Sequence, residues 1–390
     1  MRQALIGCLL TAVVVILALA GGAALYVYAP FGLSELFGFD VYDEGPPEGV
    51  HVGEGLFAKQ SVELDGRINW VTDILDADLD GQPGADLGMA SPEGILFRDS
   101  ASKQLRYAPI VEYVDNIRFV HVPSLGQYAV YNNQSWYEED ALALFDLNGK
   151  QLWTFENPNG PAAMVPGDLD GDGEPEFCVI YSDDESEESE TLLVLNASGN
   201  ELWRKAIPYT WDFEVADITG DGLDDICVFD ETDEVFIERR EGERQRVTTD
   251  PVMEASVFTT VAWPANESGA ENICFEVFER LSFIDSAGNP LLELDAPGLD
   301  YPDDIRAEAF TVEPGGPAHL AVIANAFYPE YTQFYVYDPD GALMYYEVLG
   351  SYTSALTPIY TESGECRILV GGDDSFYDYT LAATPPEGEG

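Results

Sequence analysis

Two nine-residue acidic segments carry the clearest chemical signal in this chain. Asp168-Leu169-Asp170-Gly171-Asp172-Gly173-Glu174-Pro175-Glu176 and Asp217-Ile218-Thr219-Gly220-Asp221-Gly222-Leu223-Asp224-Asp225 align position by position. Oxygen-bearing side chains at positions 1, 3 and 5, a backbone carbonyl at position 7 (Glu174, Leu223) and a carboxylate at position 9 can wrap a hard cation. Calcium accepts six to eight such oxygens in flexible geometry, whereas magnesium wants a stricter octahedron. Gly173 and Gly222 at position 6 permit the sharp turn that aims the oxygens inward. An EF-hand is excluded, because Val179 and Val228 stand where its twelfth-position Glu must be. A third segment, Asp78-Leu79-Asp80-Gly81-Gln82-Pro83-Gly84-Ala85-Asp86, keeps Asp78, Asp80 and Asp86. It puts Gln82 in place of a carboxylate and Pro83 in place of the turn glycine. Two calcium sites are therefore expected, with a third weak or absent. The competing reading is that all three are merely solvated acidic turns.

A second set of residues suits ligand contact. Trp136 and Tyr137 fall in one long loop, and Phe327, Tyr328 and Tyr331 in another; Tyr209, Trp211 and Tyr301 lie between repeat units. Such rings offer broad amphipathic area at small entropic cost, as peptide or sugar contact requires. Packing between sheets competes with that role for each ring. Catalytic motifs are lacking. The three histidines, His51, His121 and His319, are scattered, and no Gly-x-Ser-x-Gly or His-Glu-x-x-His occurs. A binding or scaffold module is the leading expectation. The alternative is a polysaccharide lyase or hydrolase whose residues converge only in three dimensions. That alternative requires a cleft holding a strongly shifted carboxylate or an arginine beside it, with Arg98, Arg106, Arg118, Arg204 and Arg306 the first to place.

The elements that position these residues form a repeat. Phe145-Asp146-Leu147-Asn148-Gly149-Lys150-Gln151-Leu152-Trp153 is echoed by Leu195 to Trp203, by Ile284 to Leu292, and by Tyr337 to Tyr345. With weaker copies at Ser102 and Gly242, the turns fall at 102, 149, 199, 242, 288 and 341, spaced by 47, 50, 43, 46 and 53 residues. Units begin near Trp70, Ile117, Ala162, Trp211, Ser256, Ile305 and Ala355. Each reads as four short strands, and helical periodicity is almost absent after residue 30. Four strands in roughly 47 residues, repeated, specify a β-propeller. The fold class is all-β, a seven-bladed β-propeller of four-stranded blades, with six or eight blades as neighbouring possibilities. The seventh unit lacks a fourth strand after Phe376 to Leu381, so Phe57 to Leu64 is expected to supply it and close the ring.

Ahead of the repeats, Ala4 to Tyr28 is a run of 25 uncharged, mostly apolar residues. As a helix it spans about 37 Å, enough for a ~30 Å hydrocarbon layer. Arg2 precedes it and acidic residues follow, which places the rest of the chain outside the cytoplasm. A cleaved signal peptide ending at Ala18-Leu19-Ala20 is the alternative, giving a secreted or periplasmic protein. The expected organisation is an anchor over 1–30, an acidic Pro/Gly-rich tether over 31–55, the propeller over 56–381 and a tail over 382–390. With 17 Lys+Arg against 72 Asp+Glu, the formal charge of −55 excludes a nucleic-acid partner. No Cys-x-x-C occurs, and Cys178, Cys227, Cys274 and Cys366 read as buried free thiols.

The Asp168, Asp217 and Asp78 loops resemble those of the FG-GAP/VCBS repeat proteins, the integrin-α-like propellers. The Gly-x-x-Leu-Trp turns at Gly149 and Gly199 also look like those of quinoprotein-type propellers. The first resemblance implies structural calcium ions held by Asp168, Asp170, Asp172 and Glu176, and by Asp217, Thr219, Asp221 and Asp225. It carries over to the first copy only at Asp78, Asp80 and Asp86. It implies an adhesion or binding module with a protein or polysaccharide partner, and in a minority of members a polysaccharide lyase.

Overall fold

A computed structural model describes residues 48–381, apart from 63–65, 78, 80–85, 99–103, 111–115, 133, 136–140, 157–161, 183–188, 233, 241–243, 248–257, 266–268, 278, 300–301, 314, 328–329, 362–363 and 373–375. The expected membrane segment and tail lie outside these residues. Among the described residues no helix is long and apolar enough to cross a membrane, and the sole helical element is the 3-10 turn Pro123–Leu125.

The described strands form seven antiparallel sheets, the blades of a propeller. Blade 1 comprises Asp73–Ala77, Asp86–Ser91, Gly94–Arg98 and Leu105–Pro109; blade 2 comprises Ile117–Val122, Gln127–Asn132, Ala141–Asp146 and Gln151–Glu156. Blade 3 runs through Ala162–Gly167, Glu176–Ser182, Ser189–Leu195 and Glu201–Pro208. Blade 4 runs through Thr210–Ala216, Asp225–Asp230, Val235–Glu238 and Gln245–Arg246. Blade 5 is built from Phe258–Val261, Asn272–Glu276, Arg280–Ile284 and Pro290–Asp295, and blade 6 from Asp304–Thr311, Ala318–Phe327, Glu330–Tyr337 and Leu343–Leu349. Thr353–Tyr360, Cys366–Gly372 and Phe376–Leu381 make blade 7. Its outer strand is Phe57–Val62, paired in register from Phe57↔Leu381 to Val62↔Phe376. The ring thus closes with the early strand, as the truncated last repeat requires.

A clasp secures that closure. Buried Glu347 of blade 6 accepts hydrogen bonds from Tyr345 (2.7 Å) and Tyr379 (2.9 Å) and pairs with Lys59 at 2.7 Å. Lys59 also lies 4.0 Å from the centre of the Tyr377 ring. One carboxylate joins the closing strand, the last strand and the neighbouring blade.

Composition misplaces one strand. Gly49–Val52, assigned above to the tether, is a fifth strand on blade 6, with Gly49↔Val348 and Val50↔Glu347 in register. An outer strand leaves a row of backbone donors and acceptors open, and this short segment satisfies them while His51 stacks on Tyr346 at 5.0 Å. The propeller therefore begins ahead of residue 56.

The repeated turn has a physical cause. Asp146, Asn196, Asp285 and Asp338 each accept, through Oδ1, the N–H groups of the residues two and four positions on. This local bond offers the backbone a ready-made turn. The glycine one residue before the second donor sits at φ 76 to 85° in all four copies. The copies at Ser102 and Gly242 lie outside the described residues. The Trp153 indole N–H donates to Ala197 O (3.1 Å) in the turn of the next blade, so the motif also locks blade to blade. Apolar side chains fill the spaces between sheets: Phe229, Phe258 and Phe275 meet between blades 4 and 5, with ring centres 6.0–6.3 Å apart. Each such ring contributes roughly 2–3 kcal/mol on burial. All four cysteines beyond the N-terminal run are buried and free, as expected.

Candidate functional site

The acidic loops connect the first and second strands of their blades. In blade 3, Asp168 Oδ1 accepts the Gly171 N–H (2.7 Å) and Oδ2 accepts that of Gly173 (2.9 Å). Asp172 Oδ1 takes the Glu174 N–H (2.8 Å), and Glu176 Oε2 takes that of Leu169 (2.9 Å). Asp217 repeats the pattern in blade 4 toward Gly220 (2.6 Å) and Gly222 (2.9 Å), while Asp221 accepts from Leu223 (3.0 Å). Gly173 and Gly222 have φ of 84° and 85°, the left-handed backbone expected at position 6. The spacing seen in sequence is thus a folding device before any ion is considered.

The two loops differ in readiness for a cation. Asp168, Asp170 and Glu176 each offer one oxygen, all within 4.8 Å of one another, and among the described residues no other acidic group does so. Two oxygens on one calcium lie up to about 5 Å apart, so these fit a shared ion. Glu174 Oε2, in the same loop, is buried and makes no hydrogen bond among the described residues. Burial raises the pKa of Glu176, opposed by the Leu169 N–H and reinforced by Asp170, Asp172 and Asp168. In blade 4, Asp225 is already engaged: Arg239 lies 3.4 Å from Oδ1, and Oδ2 accepts the Thr219 N–H at 3.2 Å. Of the third copy the structure describes Asp86, which is buried and accepts from Leu79 (3.1 Å); Asp78, Asp80 and Gln82 lie outside the described residues.

The loops also join blades 3 and 4. Asp224 Oδ2 accepts the Asp168 N–H (2.7 Å), and the Asp224 N–H donates back to Asp168 O (3.0 Å). Gly167 is required for that approach, since a Cβ there would lie 2.2 Å from Val215 Cγ1.

Of the eight aromatic candidates, the structure brings two together. Tyr209 and Trp211 meet edge to face at 5.2 Å, where blade 3 passes into blade 4, and Trp211 is 57% exposed. Tyr331 is half-buried against the core of blades 5 and 6. Phe327 ends a strand, while Trp136, Tyr137, Tyr301 and Tyr328 lie outside the described residues. Gln134–Ser135, ahead of Trp136, leaves blade 2 to pair along the inner edge of blade 3, with Ser135↔Ala162 and Gln134↔Ala163.

The feature that sequence reasoning missed is the centre of the ring. The first strands enclose a cavity of about 470 Å³ whose polar lining includes Asp73, Arg118, Asp212, Glu214, Asp304, Arg306 and Glu308. Asp73 is a stitch: Oδ1 accepts the Ile74 N–H (2.9 Å) and Oδ2 accepts that of Phe119 in blade 2 (2.8 Å). Asp212 repeats it with Phe213 (2.9 Å) and the backbone of Phe258 in blade 5. Arg306 reaches from blade 6 to Thr72 O of blade 1 (3.3 Å). Burial pushes Asp212 well above the usual carboxylate range, reinforced by Glu214 and Asp304. Burial also pushes Glu308 up to about 7, with Asp73 and Glu271 adding and Arg306 opposing. Burial, and then Arg118, lower Arg306.

Comparison with solved structures places the chain among propellers. It is similar to BBS1N, solved in complex with ARL6DN, with a TM-score of 0.58 at 12% identity, covering 84% of this chain and 98% of that one. It is also similar to the AfRom2 CNH domain, with a TM-score of 0.51 at 12% identity, covering 84% of this chain and all of the other. At such identity the likeness speaks for the fold alone. No protein-family profile matches the sequence, and no curated protein matches it.

Proposed function

We propose that this propeller is a non-catalytic binding or scaffold module for a protein or polysaccharide, braced by calcium and held outside the cytoplasm by its N-terminal apolar segment. The observation that carries the reading is the division of labour between its faces. One face is closed by backbone-bonded acidic loops. The other, where successive blades join, presents the Trp211–Tyr209 pair with Trp211 exposed. Calcium belongs at Asp168, Asp170 and Glu176, with Asp172 and the position-7 carbonyl of Glu174 as further oxygens; the blade 4 loop is the weaker site because Arg239 competes for Asp225. An ion there neutralises carboxylates that otherwise repel on a chain at −55. The oxygen-rich loops and repeated blades support kinship with the FG-GAP/VCBS propellers.

Peptide and glycan arrays probed with the wild-type chain and with Trp211→Ala test the binding role. Specific capture that Trp211→Ala abolishes supports it; identical array profiles for the two proteins reject the aromatic face as the site. A second reading, an enzyme acting on a polysaccharide, is favoured by one observation. Arg118 and Arg306 share the central cavity with Asp212 and Glu308, both raised in pKa. Release of reducing or unsaturated ends from an arrayed polysaccharide, lost in Glu308→Gln, would establish that reading instead.

A further inference from the structure

The central cavity brings guanidinium and carboxylate groups into one space. Arg118 and Arg306 both line it, and three of their nitrogens, Arg118 Nε and Arg306 Nε and Nη2, are buried with no hydrogen-bond partner among the described residues. Asp304 comes no closer than 3.8 Å to Arg306 Nε, beyond hydrogen-bonding distance. A buried donor left unpaired costs about 1–3 kcal/mol, more when charged. Facing the same space are Glu214 and Glu308, for which no hydrogen bond is formed among the described residues, and Glu308 is open to the water of the cavity. Asp73 and Asp212 are committed to stitching strands together.

The lining therefore offers unpaired donors and unpaired acceptors in one enclosure. A lone anion, phosphate or acetate, would satisfy the guanidiniums but meet a surplus of carboxylates. A lone cation would satisfy the carboxylates and leave the guanidinium N–H groups unpaired. We propose that the cavity binds a small zwitterion of the α-amino-acid or dipeptide type, its carboxylate held by Arg118 and Arg306 and its ammonium by Glu214 and Glu308. The volume, about 470 Å³, lies within the usual range for small-ligand sites, roughly 300–1,000 Å³. Planar guanidinium suits carboxylate recognition through paired N–H donors. The site rests on neither the calcium loops nor the aromatic rim, so it stands or falls apart from the binding role proposed above.

Isothermal titration of the full chain with alanine and alanylalanine tests it, beside N-acetylalanine (no ammonium), alanine amide (no carboxylate), acetate and methylammonium. Saturable binding near one equivalent by alanine or alanylalanine is expected, with each singly charged relative at least tenfold weaker. Arg306→Gln and Glu308→Gln should each weaken the zwitterion at least tenfold, with thermal melts confirming that the variants fold. If Arg306→Gln does not fold, Glu308→Gln decides. The proposal is overturned if neither zwitterion saturates up to tens of millimolar, if acetate or methylammonium binds as tightly, or if a folded variant keeps wild-type affinity.

Discussion

The blade 3 loop and the central cavity are both crowded with carboxylates, yet they accommodate them in opposite ways. In the loop, Asp168 and Glu176 receive backbone N–H groups from residues within nine positions of one another, and one oxygen each of Asp168, Asp170 and Glu176 lies within 4.8 Å of the others. In the cavity, the acids come from blades 1, 4 and 6: Asp73 and Asp212 bind backbone N–H groups of separate strands, while Glu308 has none among the described residues and is raised toward its neutral form. The Glu347 clasp is a third solution, a buried carboxylate satisfied wholly by side-chain donors. What an acidic residue contributes here depends on which partner answers it. Removing the acid should cost most where protein donors satisfy it, less where an ion must, and should stabilise where nothing fully does.

The largest effect is expected at the clasp. Glu347→Ala leaves Lys59 and two tyrosine hydroxyls without their acceptor, and removing one member of a buried ion pair costs roughly 3–5 kcal/mol. Because Lys59 stands on the closing strand and Tyr379 on the last one, the loss should also loosen the ring closure. Urea denaturation of Glu347→Ala measures it. A loss below about 1 kcal/mol would show that strand pairing alone closes the ring.

Next comes the calcium-linked term. An ion that binds only the folded state stabilises by about 2.7 kcal/mol at a hundredfold excess over Kd. Asp168→Ala should remove most of the calcium-dependent rise in melting temperature, measured in molar NaCl so that general screening is already saturated. Asp217→Ala should remove less, because Arg239 already occupies Asp225. Calorimetry giving no saturable calcium binding, or equal losses from both variants, would break the distinction drawn between the loops.

The legibility of these regions in sequence follows from the same contrast. The loops can be read because their partners are contiguous: nine residues contain both the acids and the N–H groups they bind. The blades can be read because Asp146, Asn196, Asp285 and Asp338 each set a turn with a glycine three residues later. The cavity is hidden because its residues come from strands one repeat or more apart and meet only when the ring closes. One signal was available. Asp304-Ile305-Arg306-Ala307-Glu308 alternates charge with apolar residues on a strand that the repeat places first in its blade, where both faces should be covered. Gly49–Val52 was obscured by the surrounding prolines and glycines, since nothing local marks a strand whose only purpose is to cover an edge supplied 300 residues later.

The smallest effect has the opposite sign and tests the cavity side of the comparison. Glu308 is raised by burial, then by Asp73 and Glu271, to about 7, from 4.5 as its ordinary value. The folded state therefore holds a proton that the unfolded chain releases. The stabilisation from that proton is complete below about pH 4.5 and is lost as pH rises through 7. Because the side chain faces water in the cavity, the full linkage value is not realised, and screening reduces it to about 1 kcal/mol. Glu308→Gln cannot ionise, so it should match wild type near pH 4.5 and exceed it by about 1 kcal/mol at pH 8. Self-repulsion of a chain at −55 also erodes stability with rising pH, but it acts almost equally on both proteins and cancels in their difference. Paired urea titrations at the two pH values, in molar NaCl, isolate the term. A variant less stable than wild type at pH 8 would mean that ionised Glu308 is answered by Arg306 after all, and that the cavity resembles the clasp.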